Sequence, residues 1–523
     1  MPLHRRTTSA LSALALAAGA LLCSAAAPPP TPPPTPGPTA PPGTPPPPLP
    51  CPEGATCATI TVPLDRHNPA AGTTHVGYAL IRHRDTSRPA AGTIAPNPGG
   101  PGGSTVGTAP LWREILGPLL DDHDLLLMDP RGVGMSDWLD CDVRKDVLAL
   151  PPAPQVRELG RCARSIGERR RYYTSAAVAD DLDDLRARLG IPRLKLFGES
   201  YGTYLMTVYA QRHPQRVQTS VLSGAYPLAF DPWERPSVAA VRRAIRLVCR
   251  RDGGCDGERV LSDLRRFAAQ LRRHPIPFEV TINGVPRREL LDETMLAMIV
   301  FVAGEEPEIE RWGEFPRRLR EALHGNPNWF IDTARETLVE LSDITRAGRL
   351  ISLAMQLSVE CNDYPHASDL RAPYRTRIRQ FERGLATLPR RQFDPFSPRA
   401  AVESNDETAW CLLWPEFTGR TQSTARPTTS APVLVLSGDL DTNTTSSNGV
   451  AAARQYRNAK WIEVPNSGHT PDDEPTGCVR GIIRTFLRDQ RTGDTGCLSR
   501  IPPGQVLGQE NGPDDRRAAA KPR

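Results

Sequence analysis

The sequence contains no C-x-x-C and no H-E-x-x-H spacing, so the familiar signatures of a bound zinc or a dithiol redox centre are missing. No stretch concentrates lysine and arginine beside aromatic residues, and 64 basic residues stand against 59 acidic ones for a formal net charge of +5. Nucleic acid is therefore not an expected partner. The N-terminal apolar stretch, Ala10 to Leu22, is too short to anchor the chain permanently in a bilayer, so no integral membrane span is expected. These absences leave a reading with neither metal nor cofactor, and they say nothing of oligomeric state.

What is present in quantity is proline, 55 of 523 residues, with a dense block at residues 28–50. That block cannot pack a core and reads as a stiff, extended linker. Before it, His4-Arg5-Arg6, the apolar run and the small residues Ser24 to Ala27 have the layout of a secretory signal peptide over residues 1–27. Cys23 offers lipidation as an alternative, against which the bulk of Leu22 counts. The expected location is extracellular or at the cell envelope. Once Cys23 leaves with the signal, ten cysteines remain, an even number in an exported chain, which favours disulfides over metal ligation. Nearest-neighbour pairing would join Cys51 to Cys57, Cys141 to Cys162, Cys249 to Cys255, Cys361 to Cys411 and Cys478 to Cys497.

Residues 51–226 read as strands alternating with helices. Strands are expected near Ala58 to Val62, Val76 to Arg82, Gly92 to Ala95, Asp124 to Met128, Arg193 to Phe197 and Val217 to Leu222. The segment Thr174 to Gly190 reads as an amphipathic helix, with Val178, Leu182, Leu185 and Leu189 inward and Asp180, Asp181, Asp183 and Asp184 on a solvated face. Residues 227–425 are expected to form a mostly helical cap. Core character returns over 426–500, and residues 501–523 read as a disordered tail. Alternation of this kind makes an α/β protein with a mostly parallel, doubly wound sheet, the cap being inserted after the strand that follows the nucleophile helix.

The chemistry gathers at Lys195-Leu196-Phe197-Gly198-Glu199-Ser200-Tyr201-Gly202, an apolar strand running through G-x-S-x-G into a helix. Two glycines let the chain turn sharply and present Ser200 Oγ above the sheet. A serine nucleophile needs a base, and the base needs an acid to hold its tautomer. Among ten histidines, His469 alone combines a late strand, a preceding glycine and a loop. Asp441 is the preferred acid, at the G-x-x-D offset after Gly438 with Thr444 placed to steady it, and Asp439 is the competitor. The Tyr201 N–H and an N–H of the glycine loop, with Gly100 as best guess, are expected to hold an oxyanion. Asp129 and Arg131 are read as shaping their own turn.

Taken together, Asn97-Pro98-Gly99-Gly100-Pro101-Gly102-Gly103, Asp129-Pro130-Arg131-Gly132-Val133-Gly134, Gly198-Glu199-Ser200-Tyr201-Gly202-Thr203, Gly438-Asp439-Leu440-Asp441 and Gly468-His469 resemble the secreted tripeptidyl aminopeptidases of actinobacteria. These are relatives of the proline iminopeptidases in the α/β-hydrolase superfamily. The likeness covers about residues 51 to 500 and includes Cys361-Asn362-Asp363 and Cys411-Leu412-Leu413-Trp414-Pro415. Thr470 and Thr105 depart from it where glycine is frequent. The resemblance implies an α/β-hydrolase fold and release of one to three residues from a free peptide N-terminus through an acyl-enzyme. A substrate ammonium leaving water needs an anion, for which Glu305, Glu306, Glu360 and Asp363 of the cap are candidates. An esterase or lipase-like hydrolase of small esters is the enzymatic rival, and a catalytically silent binding protein is the reading from another class.

Overall fold

The structure, a computed structural model, describes residues 46–507 except 306–307, 345, 405–406, 417–418 and 420. The signal peptide and most of the proline block lie outside the described residues. Ten strands are described: β1 Ala55–Pro63, β2 Thr73–Ile81, β3 Gly92–Asn97, β4 His123–Met128, β5 Leu194–Glu199, β6 Val217–Ser223, β7 Ile276–Ile282, β8 Val285–Leu291, β9 Val433–Gly438 and β10 Ala459–Val464. Eight of them build one sheet in the order β1-β2-β4-β3-β5-β6-β9-β10. The first two pairings are antiparallel and the remaining five are parallel.

The strand sequences follow from position in that sheet. β4, β5 and β9 are buried along their whole length and read as near-continuous apolar runs, as a sheet covered on both faces requires. On one face, helices Ala109–Leu116 and Cys478–Asp489 pack Trp112 and Phe486 against Phe197 and Leu434. On the other, helices Ser175–Arg188 and Tyr201–Arg212 pack Leu182, Leu185 and Tyr204 against Leu196.

The acidic face of helix Ser175–Arg188 is not the solvated surface expected. Asp181 is fully buried and takes a bidentate pair from Arg131, with Nε to Oδ2 and Nη2 to Oδ1 both at 2.7 Å. The rest of that guanidinium reaches the carbonyls of Leu64 and Tyr172. A buried carboxylate needs such a partner, so Arg131 pins its turn to this helix. Asp180, Asp183 and Asp184 likewise pair with Arg212, Arg186 and Arg66.

Between β6 and β9 the chain is mainly helical, as expected of a mostly helical cap, and β7 and β8 add an antiparallel hairpin that was not anticipated. Its turn is Asn283-Gly284, both at positive φ, the backbone that a two-residue hairpin loop demands. The cap has its own core of Val241, Leu264, Phe267, Phe315 and Phe330. One cap helix departs from this: Leu353–Asp363 puts Met355, Leu357 and Val359 into the same cluster as Leu196 and Tyr204. Ser352 starts that helix and donates its N–H to Gly102 O at 3.0 Å, joining the cap to the glycine loop.

The ten cysteines of the described chain form five disulfides, Cys51–Cys57, Cys141–Cys162, Cys249–Cys255, Cys361–Cys411 and Cys478–Cys497. Gln505 to Leu507, within the segment expected to be a structureless tail, lie against the cap, with Leu507 N–H donating to Gly313 O at 3.0 Å. Among the described residues no helix is long and apolar enough to cross a membrane.

Candidate active site

β5 ends at Glu199 in the middle of the sheet, and helix Tyr201–Arg212 begins two residues later. Ser200 between them has φ 50° and ψ −124°, a conformation that a non-glycine residue holds only when its surroundings enforce it. The enforcement is visible at both flanks. A Cβ on Gly198 would lie 2.3 Å from Gly202 O, and one on Gly202 would lie 2.2 Å from Asn97 O. The strand, helix and glycine loop therefore close on each other only because these side chains are absent. Ser200 N–H donates to Ser223 O at 3.0 Å, fixing the elbow to the end of β6.

His469 follows β10 and is buried. A Cβ on Gly224 would meet His469 O at 2.5 Å and His469 Cε1 at 3.4 Å, so the imidazole sits over the residue next to Ser223. The loop after β9 supplies its partner. Asp441 Oδ1 accepts the N–H groups of Asn443 and Thr444 at 2.8 and 2.9 Å, and Oδ2 accepts the Thr444 hydroxyl at 2.7 Å. Thr444 Oγ1 is also 2.9 Å from His469 Nδ1, while Asp441 Oδ2 is 3.5 Å from it. A hydroxyl has one proton to give. Since Thr444 gives its proton to Asp441, it accepts from His469, which places a proton on Nδ1 and leaves Nε2 as the acceptor in the neutral ring. Asp439 is committed elsewhere, to Arg251 and to the Asn466 N–H.

Burial alone would lower the pKa of His469, but the carboxylates of Glu305, Asp441 and Asp472 outweigh it and push the imidazole up to about 9. The surroundings of His469 therefore favour the charged form of its ring.

The glycine loop reaches the elbow directly: a Cβ on Gly99 would stand 3.0 Å from both Ser200 Cβ and Tyr201 N. Gly100, the candidate oxyanion donor, is the next residue. Tyr201 N–H belongs to the first turn of the elbow helix, whose positive end faces the same space. Thr105, one of the two departures, lies within 3.4 Å of Asn97 Nδ2 and braces this loop. Thr470, the other, donates to Asp473 at 3.2 Å.

The four acidic cap candidates separate. Glu305 is buried beside the site, its Oε1 accepting from Asn443 Nδ2 at 3.1 Å. Glu360 lies one turn beyond Gln356, which donates to it at 2.9 Å; Gln356 N lies in turn beside Gly102 of the glycine loop. Asp363 accepts the Ser175 N–H at 2.5 Å at the start of helix Ser175–Arg188, and burial pushes its carboxyl up to about 7. Its contacts are thus those of a helix cap. Glu306 lies outside the described residues. The sequence reading missed two other buried acids at the site, Glu199 and Asp472. Their signal was only an acidic residue inside G-x-S-x-G and another three places after the histidine.

Residues 97–260 match the family described as alpha/beta hydrolase fold, and residues 397–497 match the family described as TAP-like protein. Among curated relatives, the serine protease Hip1 of Mycobacterium tuberculosis is 25% identical over 479 residues, covering 85% of this chain and 87% of that protein. The tripeptidyl aminopeptidase of Streptomyces lividans is 24% identical over 481 residues, covering 86% of this chain and 85% of the relative. Carboxylesterase B of M. tuberculosis is 27% identical over 476 residues, covering 83% and 84%.

Proposed function

The chain is an α/β-hydrolase-fold protein with a TAP-like segment towards its C-terminal end, and from that premise we propose that it is an exported serine peptidase that cleaves near a free peptide N-terminus. The observation carrying this reading is the linked set Asp441, Thr444 and His469, seated over the end of β6 to which the Ser200 elbow is tied. Ser200 Oγ attacks the scissile carbonyl as His469 Nε2 takes its proton. Asp441, directly and through Thr444, holds the Nδ1 proton and stabilises the imidazolium. The N–H groups of Tyr201 and Gly100 receive the oxyanion, and water resolves the acyl-enzyme on Ser200 with His469 again as base.

The preference for a free N-terminus rests on Glu305, a buried carboxylate close enough to His469 to raise its pKa. An ammonium removed from water binds well to such a group, and the buried Glu360 is a second candidate anchor. Docked there, the ammonium also cancels part of the field that keeps His469 protonated, so the base becomes available when substrate is bound. The cap over 227–425, the signal over 1–27 and the linker over 28–50 fit a secreted or envelope-held enzyme.

The names of two relatives, serine protease and tripeptidyl aminopeptidase, support peptide cleavage. A second reading, hydrolysis of small esters, is favoured by the carboxylesterase relative. Matched peptide amides with free and acetylated N-termini separate the two. The peptidase reading expects the acetylated peptide to lose most of its turnover; equal turnover of the pair, with fast cleavage of acyl esters, favours the esterase.

A further inference from the structure

Two carboxyl groups that the reaction above does not use are buried together behind the triad. Glu199 immediately precedes the nucleophile and is 1% exposed; Asp472 lies three residues after His469 and is 0% exposed. Neither oxygen of Glu199 meets a donor from the described protein, and nor does Asp472 Oδ2. Glu199 is the register partner of Ser223 on the neighbouring strand, the residue whose hydroxyl reaches Asp472, and burial together with the nearby Asp472 carboxyl pushes the Glu199 carboxyl well up from its ordinary value. Asp472 Oδ1 accepts the Ser223 hydroxyl, from the strand end that also receives Ser200 N–H. Two ionised carboxylates in contact and out of water repel strongly, whereas one proton between them gives a short, charge-assisted bond.

We propose that Glu199 and Asp472 hold one proton between them, and that this acid–carboxylate pair is a positioning device which clasps the nucleophile strand to the histidine loop and keeps a single negative charge behind the imidazole. The inference rests on the serine-hydrolase reading of Ser200 and His469. No bond to substrate forms or breaks at the pair; its proton stays between the two groups while His469 exchanges its own with Ser200.

The charged surroundings of the pair are few. Asp473, the next residue, pairs with Arg480 at 3.2 Å, and Arg480 also binds Asp472 O at 2.9 Å and exposed Glu114 at 2.6 Å. Glu474 is taken up by the N–H groups of Thr476 and Val479 at the start of the closing helix. Arg480 thus meets Asp472 only at its backbone, and the side-chain oxygen facing Glu199 has a shared proton as its partner. Glu305 and Asp441 also act on His469.

The test is the rate of fluorophosphonate labelling of the purified full-length chain as a function of pH, together with urea unfolding over the same range. In Glu199→Gln the amide donates where the shared proton lay and one charge remains, so the acid limb of the labelling profile stays where the native protein has it. Asp472→Asn alone behaves the same way, which covers failure of either single variant to fold. The double amide removes the charge and moves the limb down by about half to one pH unit. Unfolding supplies a readout free of chemistry. A buried acid whose folded pKa is raised loses stability as pH climbs above its unfolded value, so the native folded-to-unfolded ratio falls by up to about tenfold per pH unit relative to Glu199→Gln above about pH 5. A double amide with an unshifted limb, a single amide that shifts as far as the double, or a stability gap independent of pH overturns the pair. Native protein that folds and takes no label at any pH overturns the serine-hydrolase reading instead, and the unfolding comparison still decides the pair.

Discussion

Replacing Thr444 with valine removes one oxygen from the site and almost no volume. The native hydroxyl donates to Asp441 Oδ2 at 2.7 Å and accepts from His469 Nδ1 at 2.9 Å, while the carboxylate itself lies 3.5 Å from the ring. Without the hydroxyl, the Nδ1 proton has only the longer contact, and Asp441 Oδ2 loses its shortest partner in a buried setting. A hydrogen bond to a charged group contributes roughly 1.5 to 3 kcal/mol. At 1.36 kcal/mol per factor of ten, that is a loss of about 10- to 150-fold in the rate at which Ser200 is acylated. The assay is the pseudo-first-order rate of labelling by a fluorophosphonate at fixed pH, with thermal unfolding as a control for the fold. Thr444→Ser, which keeps the oxygen, is expected within a few-fold of native. Valine within twofold of native, or serine as slow as valine, would refute the idea that this hydroxyl links acid to base.

Because His469 is held up to about 9, labelling of the substrate-free protein should climb through that pH, as a base must be neutral to work. Its charged form also stabilises the fold, a contribution complete below about pH 6.5 and lost as pH rises through about 9. Glu305→Gln is expected to move the acid limb of labelling to lower pH; an unmoved limb would remove Glu305 from the field acting on the base. Asp181→Asn leaves the fully buried Arg131 without its carboxylate and should cost about 3 to 5 kcal/mol, read as a drop in unfolding midpoint. Cys361 and Cys411 close a loop of sequence separation 50, so replacing both with alanine should cost about 4 kcal/mol on a chain-entropy account, with a negligible change counting against that account.

What could be read from the sequence depended on how far each signal reaches along the chain. The elbow was legible because Gly198, Ser200 and Gly202 lie within five positions and each glycine is required by a backbone approach under 2.5 Å. Strands β4, β5 and β9 were legible because burial on both faces writes an unbroken apolar run. The hairpin β7–β8 is not legible from helical periodicity over 227–425, although Asn283-Gly284 between alternating residues is a strong turn signal. Asp181 was assigned to solvent because helical spacing reports only the side of a helix. Its partner Arg131 is fifty residues away, and nothing local announces the pair. Glu199 and Asp472 were hidden for the same reason: their contact exists only once β5 and the histidine loop have come together.

The central claim, that Ser200 is a nucleophile driven by His469, is tested most directly by locating a fluorophosphonate adduct in the folded protein by mass spectrometry of its peptides. The account predicts a single adduct on Ser200, formed in native protein, abolished by Ser200→Ala and slowed by orders of magnitude in His469→Ala. An adduct on another residue, or its formation at native rate without the imidazole, would contradict it.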